Sequence, residues 1–257
     1  MNYSYHNHTF YCSHATGTPE EYVKRAIECG VKHMGFSEHC PLVFSTGLQS
    51  KYRLQYEDIG AYFEELLNLK EKYKNEIDIK IGFEMEYYPE LFFETLQNAK
   101  NYGAEYLILG QHYTQPEYME NSLPTPTKTS DEARLQKYVS LVVEAIKTGV
   151  FTYVAHPDMI NFVGDEDVFR NEFRKICITS RENNIPLEIN FLGIRANRNY
   201  PNEKAIAVMG EEKNPVTFGF DAHDAPSAFD GQSLQKALAL VEKYKLNYIG
   251  KPEIIKL

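Results

Sequence analysis

Residues 151–158 read Phe-Thr-Tyr-Val-Ala-His-Pro-Asp, a short apolar run that ends in a histidine before proline. The run is of the length expected for a strand buried on both faces. The same cadence recurs along the chain. Tyr3 to Tyr5 leads into His6-x-His8, Met34 to Phe36 into Ser37-Glu38-His39, and Ile77 to Phe83 into Glu84 and Glu86. Tyr106 to Leu109 precedes His112, Leu187 to Ile189 is a further run, and Val216 to Phe220 leads into Asp221-x-His223. Between these runs lie stretches with apolar residues at three-to-four spacing mixed with charge, over about 18–30, 56–74, 90–102, 131–148, 166–183, 202–212 and 233–245. The first carries Thr18, Pro19 and Glu21 at its start and Gly30 at its end, the marks of a capped helix. Strand and helix in regular alternation predict a parallel sheet with right-handed crossovers, an α/β class, and within it a barrel variant of seven strands in a single domain. An open doubly wound sheet shares that alternation.

The chain has 257 residues, 43% of them hydrophobic and 25% charged. At that size a core forms without disulfide staples. The four cysteines, Cys12, Cys29, Cys40 and Cys177, make no C-x-x-C pair, which fits a reducing, cytoplasmic setting. A formal charge of -9 disfavours non-specific nucleic-acid binding, and no apolar stretch has the length of a membrane span. The longest irregular stretch, residues 114–130, carries three prolines and is expected to form a loop or lid over the active face.

Seven of the eight histidines fall at or just beyond the end of a predicted strand, and only His33 lies at a strand's beginning. In a β/α barrel those ends converge on one face, so His6, His8, His14, His39, His112, His156 and His223 can meet there with Glu84 and Asp221. Neutral imidazole and ionised carboxylate are ligands for zinc, iron or manganese, and so large a cluster points to more than one ion. Metal ions held close together by bridging carboxylates suit phosphoryl chemistry. Single pieces are weak evidence. His156 before proline is also an ordinary structural histidine, Glu86 a solvated rim carboxylate, and Cys12 and Cys40 small buried fillers. Specificity comes from the joint occurrence on one face.

The ordered set His6-x-His8, His14, Glu38-His39, Glu84, His112, His156 and Asp221-x-His223 resembles the PHP (polymerase and histidinol phosphatase) family of metal-dependent phosphoesterases, over essentially the whole chain. The stretches 6–15, 35–42, 82–87, 155–158, 187–195 and 219–223 resemble its histidinol-phosphatase branch. The resemblance implies a distorted seven-stranded TIM-like barrel with three divalent ions, zinc, iron or manganese. His6, His8, Glu84 and Asp221 would hold one ion, and Glu84, His112 and His156 a second, with Glu84 as the bridge. His14, His39 and His223 would hold the third. Phe220 stands where that branch more usually has serine, and either narrows the pocket or repacks beside it.

The expected reaction is hydrolysis of L-histidinol phosphate to L-histidinol and phosphate, by in-line attack of a metal-bridged hydroxide, with Glu84, Asp221 and His223 as the catalytic residues. Phosphate favours a bidentate arginine, for which Arg195 is the first candidate, followed by Arg198 and Arg53. Glu86 and Asp158 are placed to accept hydrogen bonds from the rest of the substrate. Other phosphomonoesters such as phosphotyrosine, a DNA exonuclease activity, and a non-catalytic metal-binding barrel are the competing expectations.

Overall fold

The computed structural model describes residues 1–42 and 44–257. Its strands are β1 (Tyr3–Ser4), β2 (His33–His39), β3 (Asp78–Met85), β4 (Tyr106–Leu109), β5 (Phe151–Val154), β6 (Leu187–Asn190), β7 (Pro215–Gly219) and β8 (Asn247–Tyr248). They form one parallel sheet in strict chain order, β1 to β8. That sequential order excludes the doubly wound alternative, which needs the order to reverse. The helices are α1 (Pro19–Glu28), α2 (Ile59–Lys72), α3 (Phe92–Tyr102), α4 (Glu132–Lys147), α5 (Glu166–Asn183), α6 (Phe191–Arg195), α7 (Glu203–Glu211) and α8 (Gly231–Tyr244). Among the described residues, no helix is long and apolar enough to cross a membrane.

The expectation of seven strands is corrected to eight. The additional strand, β8, is two residues long and carries no apolar run, so sequence periodicity has nothing to register; it pairs with the first residues of β7. The sheet curls until the segment after β1 meets the segment after β7. There Asn7 bridges Ala222, with the His8 amide donating to the Ala222 carbonyl at 2.9 Å and the Ala222 amide to the His6 carbonyl at 3.4 Å. At the opposite end the Tyr3 hydroxyl lies 3.0 Å from Thr217 Oγ1 and 3.2 Å from the Tyr248 hydroxyl.

Period-two alternation sorts the strand residues onto two faces. Ile79, Ile81, Phe83 and Met85 of β3, Leu107 and Leu109 of β4, Leu187 and Ile189 of β6, and Val216 and Phe218 of β7 lie on the convex face. There they share the main core with Leu66, Val142, Ile176 and Met209 from the surrounding helices. Each such fully buried side chain contributes roughly 1.5–3 kcal/mol. The concave face has a smaller cluster of Tyr5, Tyr106, Ile108, Tyr153 and Ala155. Above that floor the concave positions turn polar.

Helix α1 has the predicted start: Thr18 and Glu21 form a reciprocal capping box with Pro19 in the first turn. The irregular 114–130 stretch is tied down by bridges from Tyr113 to Pro124 and from Thr129 to Phe162. Arg134 of α4 also donates to its Leu123 and Pro124 carbonyls.

Candidate metal centre

The alternation that sends Phe83 and Met85 outward sends Glu84 and Glu86 inward, and on β6 it turns Glu188 and Asn190 the same way. Glu84 is the hub. Its Oε2 lies 3.5 Å from His6 Nε2, 3.3 Å from His8 Nε2 and 3.1 Å from His39 Nδ1. Its Oε1 lies 3.4 Å from His112 Nε2 and 2.8 Å from His156 Nε2. Such proximity requires a glycine at position 110, where a Cβ would stand 1.9 Å from Glu84 Oε1. Asp221 closes the other side, its Oδ1 3.5 Å from His6 Nε2, 3.6 Å from His8 Nε2 and 3.3 Å from His223 Nδ1.

His14 and His223 complete the cluster, with their Nε2 atoms 3.0 Å apart. His14 Nδ1 donates to the Cys12 carbonyl at 2.9 Å and His223 Nδ1 to the Asp221 carbonyl at 3.2 Å. Neutral rings so bonded direct two lone pairs at each other, an arrangement that a cation or a shared proton relieves. His112 likewise donates from Nδ1, to Glu86 at 3.0 Å, leaving Nε2 free toward Glu84. The nine residues expected as ligands therefore all converge at the mouth of the curled sheet.

The groupings differ from the expected set of four and two sets of three. Ligand atoms within 4.8 Å of one another are found for His6, His8 and Asp221; for His6, Glu84 and His156; for His39, Glu84 and His112; and for His8, His39 and His223. His39 is thus drawn toward Glu84 as well as toward His223, and His14 reaches the cluster through His223. A further set, all buried, is His8, Cys12 and Glu38.

The donor chemistry fits metal ions. Buried and without a hydrogen-bond partner are His6 Nε2, both ring nitrogens of His8, His39 Nδ1, His156 Nδ1 and both oxygens of Glu84. Buried polar atoms are ordinarily satisfied, so this concentration at one place calls for a species that accepts their lone pairs. Among the described residues, no lysine or arginine pairs with the Glu84 or Asp221 carboxylates. Burial alone would raise the Glu84 carboxyl, but the surrounding His112, His6, His39 and His156 outweigh it and hold it well below the usual range. Burial pushes His39 far down and, with His8 beside it, holds His223 at about 3, so both rings are neutral and ready to ligate. His156 and Asp221 sit at φ 30° and 46°, left-handed values that cost energy in non-glycine residues and recur at functional sites.

Two residues not singled out by sequence reasoning prove central. Glu188 accepts from His6 Nδ1 at 2.8 Å and from the His156 amide at 2.9 Å, and Asn190 bridges Glu188 and Asp221 at 2.8 and 3.0 Å. Their signal was the alternation in Leu187-Glu188-Ile189-Asn190, two polar groups at inward positions of an otherwise apolar strand.

Of the five expected substrate contacts, four are committed elsewhere. The Arg195 guanidinium donates to the Phe220 carbonyl at 2.6 Å and to that of Asp221, so it clamps the turn after β7 and does not face the cavity. Arg53 is buried and grips Glu86 with both ends of its fork, at 2.6 and 2.7 Å, and also Glu117. Glu86 is thereby an ion-pair partner rather than a rim carboxylate. Burial would raise it, but Arg53 and His112 hold it at about 2. Asp158 is buried and accepts from the Asn202 amide. Arg198 is exposed and lines a cavity of about 420 Å³ over the cluster, walled by Tyr52, Tyr113, Pro124, Pro126, Met159 and Leu192. Phe220 packs away from this cavity against Phe191 and Phe229, so it repacks the core without narrowing the pocket.

Comparison with known proteins agrees with this geometry. The PHP domain family matches residues 4–191. The chain belongs to the PHP domain family. The PHP chain is 26% identical to the histidinol-phosphatase of Bacillus subtilis over 250 residues, 86% of this chain and 92% of that one. It is also 26% identical over 226 residues to a Deinococcus radiodurans protein named "Probable histidinol-phosphatase", covering 85% of each. In fold it is similar to the histidinol phosphate phosphatase of Lactococcus lactis, solved with zinc, L-histidinol and phosphate. That likeness has a TM-score of 0.73 at 20% identity and spans 95% of this chain and 94% of that one.

Proposed function

We propose that this PHP protein is a metal-dependent phosphomonoesterase, residues 1–257 forming one phosphatase domain on a distorted TIM-like barrel. Its reaction is hydrolysis of L-histidinol phosphate to L-histidinol and phosphate in histidine biosynthesis in the cytoplasm. The carrying observation is the gathering of seven imidazoles around Glu84 and Asp221, with His6 Nε2, both ring nitrogens of His8, His39 Nδ1 and both Glu84 oxygens buried and unpartnered. Relatives named for that activity support the choice of substrate. Three divalent ions, drawn from zinc, iron and manganese, would be held by His6, His8, His14, His39, Glu84, His112, His156, Asp221 and His223. When bound, such ions make a water acidic enough to attack phosphorus at neutral pH and neutralise charge on phosphate.

The chain's own residues do the rest. Glu84 reaches five histidines and serves as the common carboxylate between positions. Asp221 and His223 present adjoining ligand atoms at the mouth of the curl, on the lip that faces His6 and His8. Arg198, at the cavity edge with Nη1 3.0 Å from the Tyr200 hydroxyl, is the guanidinium free to meet a phosphate oxygen. Tyr52 and Tyr113, stacked with centroids 6.1 Å apart at 17°, offer a flat wall for the imidazole ring carried by the histidinol leaving group.

The test compares kcat/KM for phosphate release from L-histidinol phosphate and from a phosphotyrosyl peptide, on protein purified with its metals retained. A preference of orders of magnitude for histidinol phosphate is expected. Preference for the peptide, or equal slow release from both, would leave the metal centre in place and remove the assigned substrate.

A further inference from the structure

The metal reading of His6 raises the question of what keeps its outer nitrogen available, and the structure assigns that task to Glu188. We propose that Glu188 is a positioning residue: it holds the His6 proton on Nδ1, leaving Nε2 as a lone pair aimed between Glu84 and Asp221. This rests on the proposed metal centre and adds to it a residue that touches neither ion nor substrate.

Hydrogen-bond polarity forces the assignment. The Gly193 amide donates to Asn190 Oδ1 at 3.0 Å, which fixes the Asn190 amide orientation and makes Nδ2 the donor toward Glu188 and Asp221. Glu188 Oε2 therefore receives two N–H groups, from Asn190 Nδ2 at 2.8 Å and the His156 amide at 2.9 Å. An ionised carboxylate only accepts, so at Oε1 the group 2.8 Å away, His6 Nδ1, must donate. As a neutral ligand the ring so bonded carries no proton on Nε2, the atom that lies 3.5 Å from both Glu84 and Asp221 and has no hydrogen-bond partner. Space for this carboxylate is reserved. At Gly219 a Cβ would stand 1.7 Å from Glu188 Oε1 and 3.2 Å from the His6 Cβ. One side chain thus acts on three candidate ligands: on the ring of His6, on the strained backbone of His156 and, through Asn190, on Asp221.

Glutamine at this position separates positioning from packing. In Glu188→Gln the two donors at Oε2 require the amide oxygen there, which turns the NH2 toward His6 Nδ1. Nδ1 must then accept, the ring proton moves to Nε2, and the ligating lone pair is lost although volume and two of the three contacts survive. The experiment is zinc titration by chelator competition on full-length wild type and E188Q, alongside the melting temperature of both in zinc-free form. Expected is a loss of about 10–100-fold in zinc affinity at one site per chain, the usual effect of removing an outer partner of a ligand, with little change in zinc-free melting temperature. Wild-type zinc affinity in E188Q overturns the role. Should E188Q fail to fold, long-range nitrogen–proton NMR on zinc-loaded wild type decides: a His6 proton on Nδ1 is expected, and one on Nε2 overturns the assignment. Wild type that takes up no zinc, iron or manganese would instead overturn the metal centre itself.

Discussion

Glu84 near the end of β3 and Glu86 just beyond it stand two residues apart, both buried, and they solve the same electrostatic problem in opposite ways. Glu86 has its counter-charge in the chain: the Arg53 fork at 2.6 and 2.7 Å and His112 at 3.0 Å saturate it. Glu84 meets only imidazole nitrogens, and neither of its oxygens has a well-formed hydrogen bond. An uncompensated buried carboxylate costs several kcal/mol, so a fold keeps one only where something outside the chain completes it. The difference between the two glutamates marks where the protein ends its own structure and leaves a place for ions.

The largest effect should come from the open member of the pair. Glu84→Gln is expected to lower metal content and to reduce phosphate release well beyond the ~100-fold typical of an outer partner, as read by metal analysis and single-turnover kinetics. Retention of both would end its role as the shared ligand. Removing the ions should come next. Chelation is expected to abolish activity and lower the melting temperature, by an amount equivalent to about 4 kcal/mol if free metal stood at a thousand times its Kd. Readdition of zinc, manganese or iron should restore both. The closed member should fail differently. Arg53→Met takes the guanidinium from Glu86 and Glu117, a loss of about 3–5 kcal/mol in urea unfolding, while metal stoichiometry stays that of wild type. Adding Glu86→Gln should recover part of that loss. The smallest effect belongs to the rim: Arg198→Ala should raise KM about tenfold, in line with ~1.5 kcal/mol for one charged hydrogen bond, at unchanged stability.

Much of this was legible in the sequence because two periodicities carried it. The apolar runs located β2 to β7 to within a few residues, and all the histidines but His33 fell at or just beyond the ends of those runs or of the first one. Strand β8 escaped because two residues, Asn247 and Tyr248, present no pattern; backbone pairing to β7 defines them. Arginine roles escaped for another reason. Arg195 and Arg198 lie three residues apart in one turn-rich segment, and sequence has no means to show that one faces backbone carbonyls and the other the cavity. Arg53 reads from sequence as a phosphate contact because its carboxylate partners, Glu86 and Glu117, are distant in the chain. Phe220 shares the parity of Val216 and Phe218, which turns it toward the helices.

The seam between β1 and β7 has a consequence in polymer terms. The two lips are joined by the Asn7–Ala222 bridge, by the Thr16 amide on the His223 carbonyl and by Tyr3 on Thr217, and one carries His6 and His8 and the other Asp221 and His223. An ion shared by His6, His8 and Asp221 would be a cross-link between residues near opposite ends of the chain, closing a loop for which chain-entropy arguments give roughly 5 kcal/mol. Coordination would then do here what disulfides do in secreted domains, in a molecule whose four thiols are free. Amide exchange at His8 and Ala222 would report directly on whether the clasp is shut.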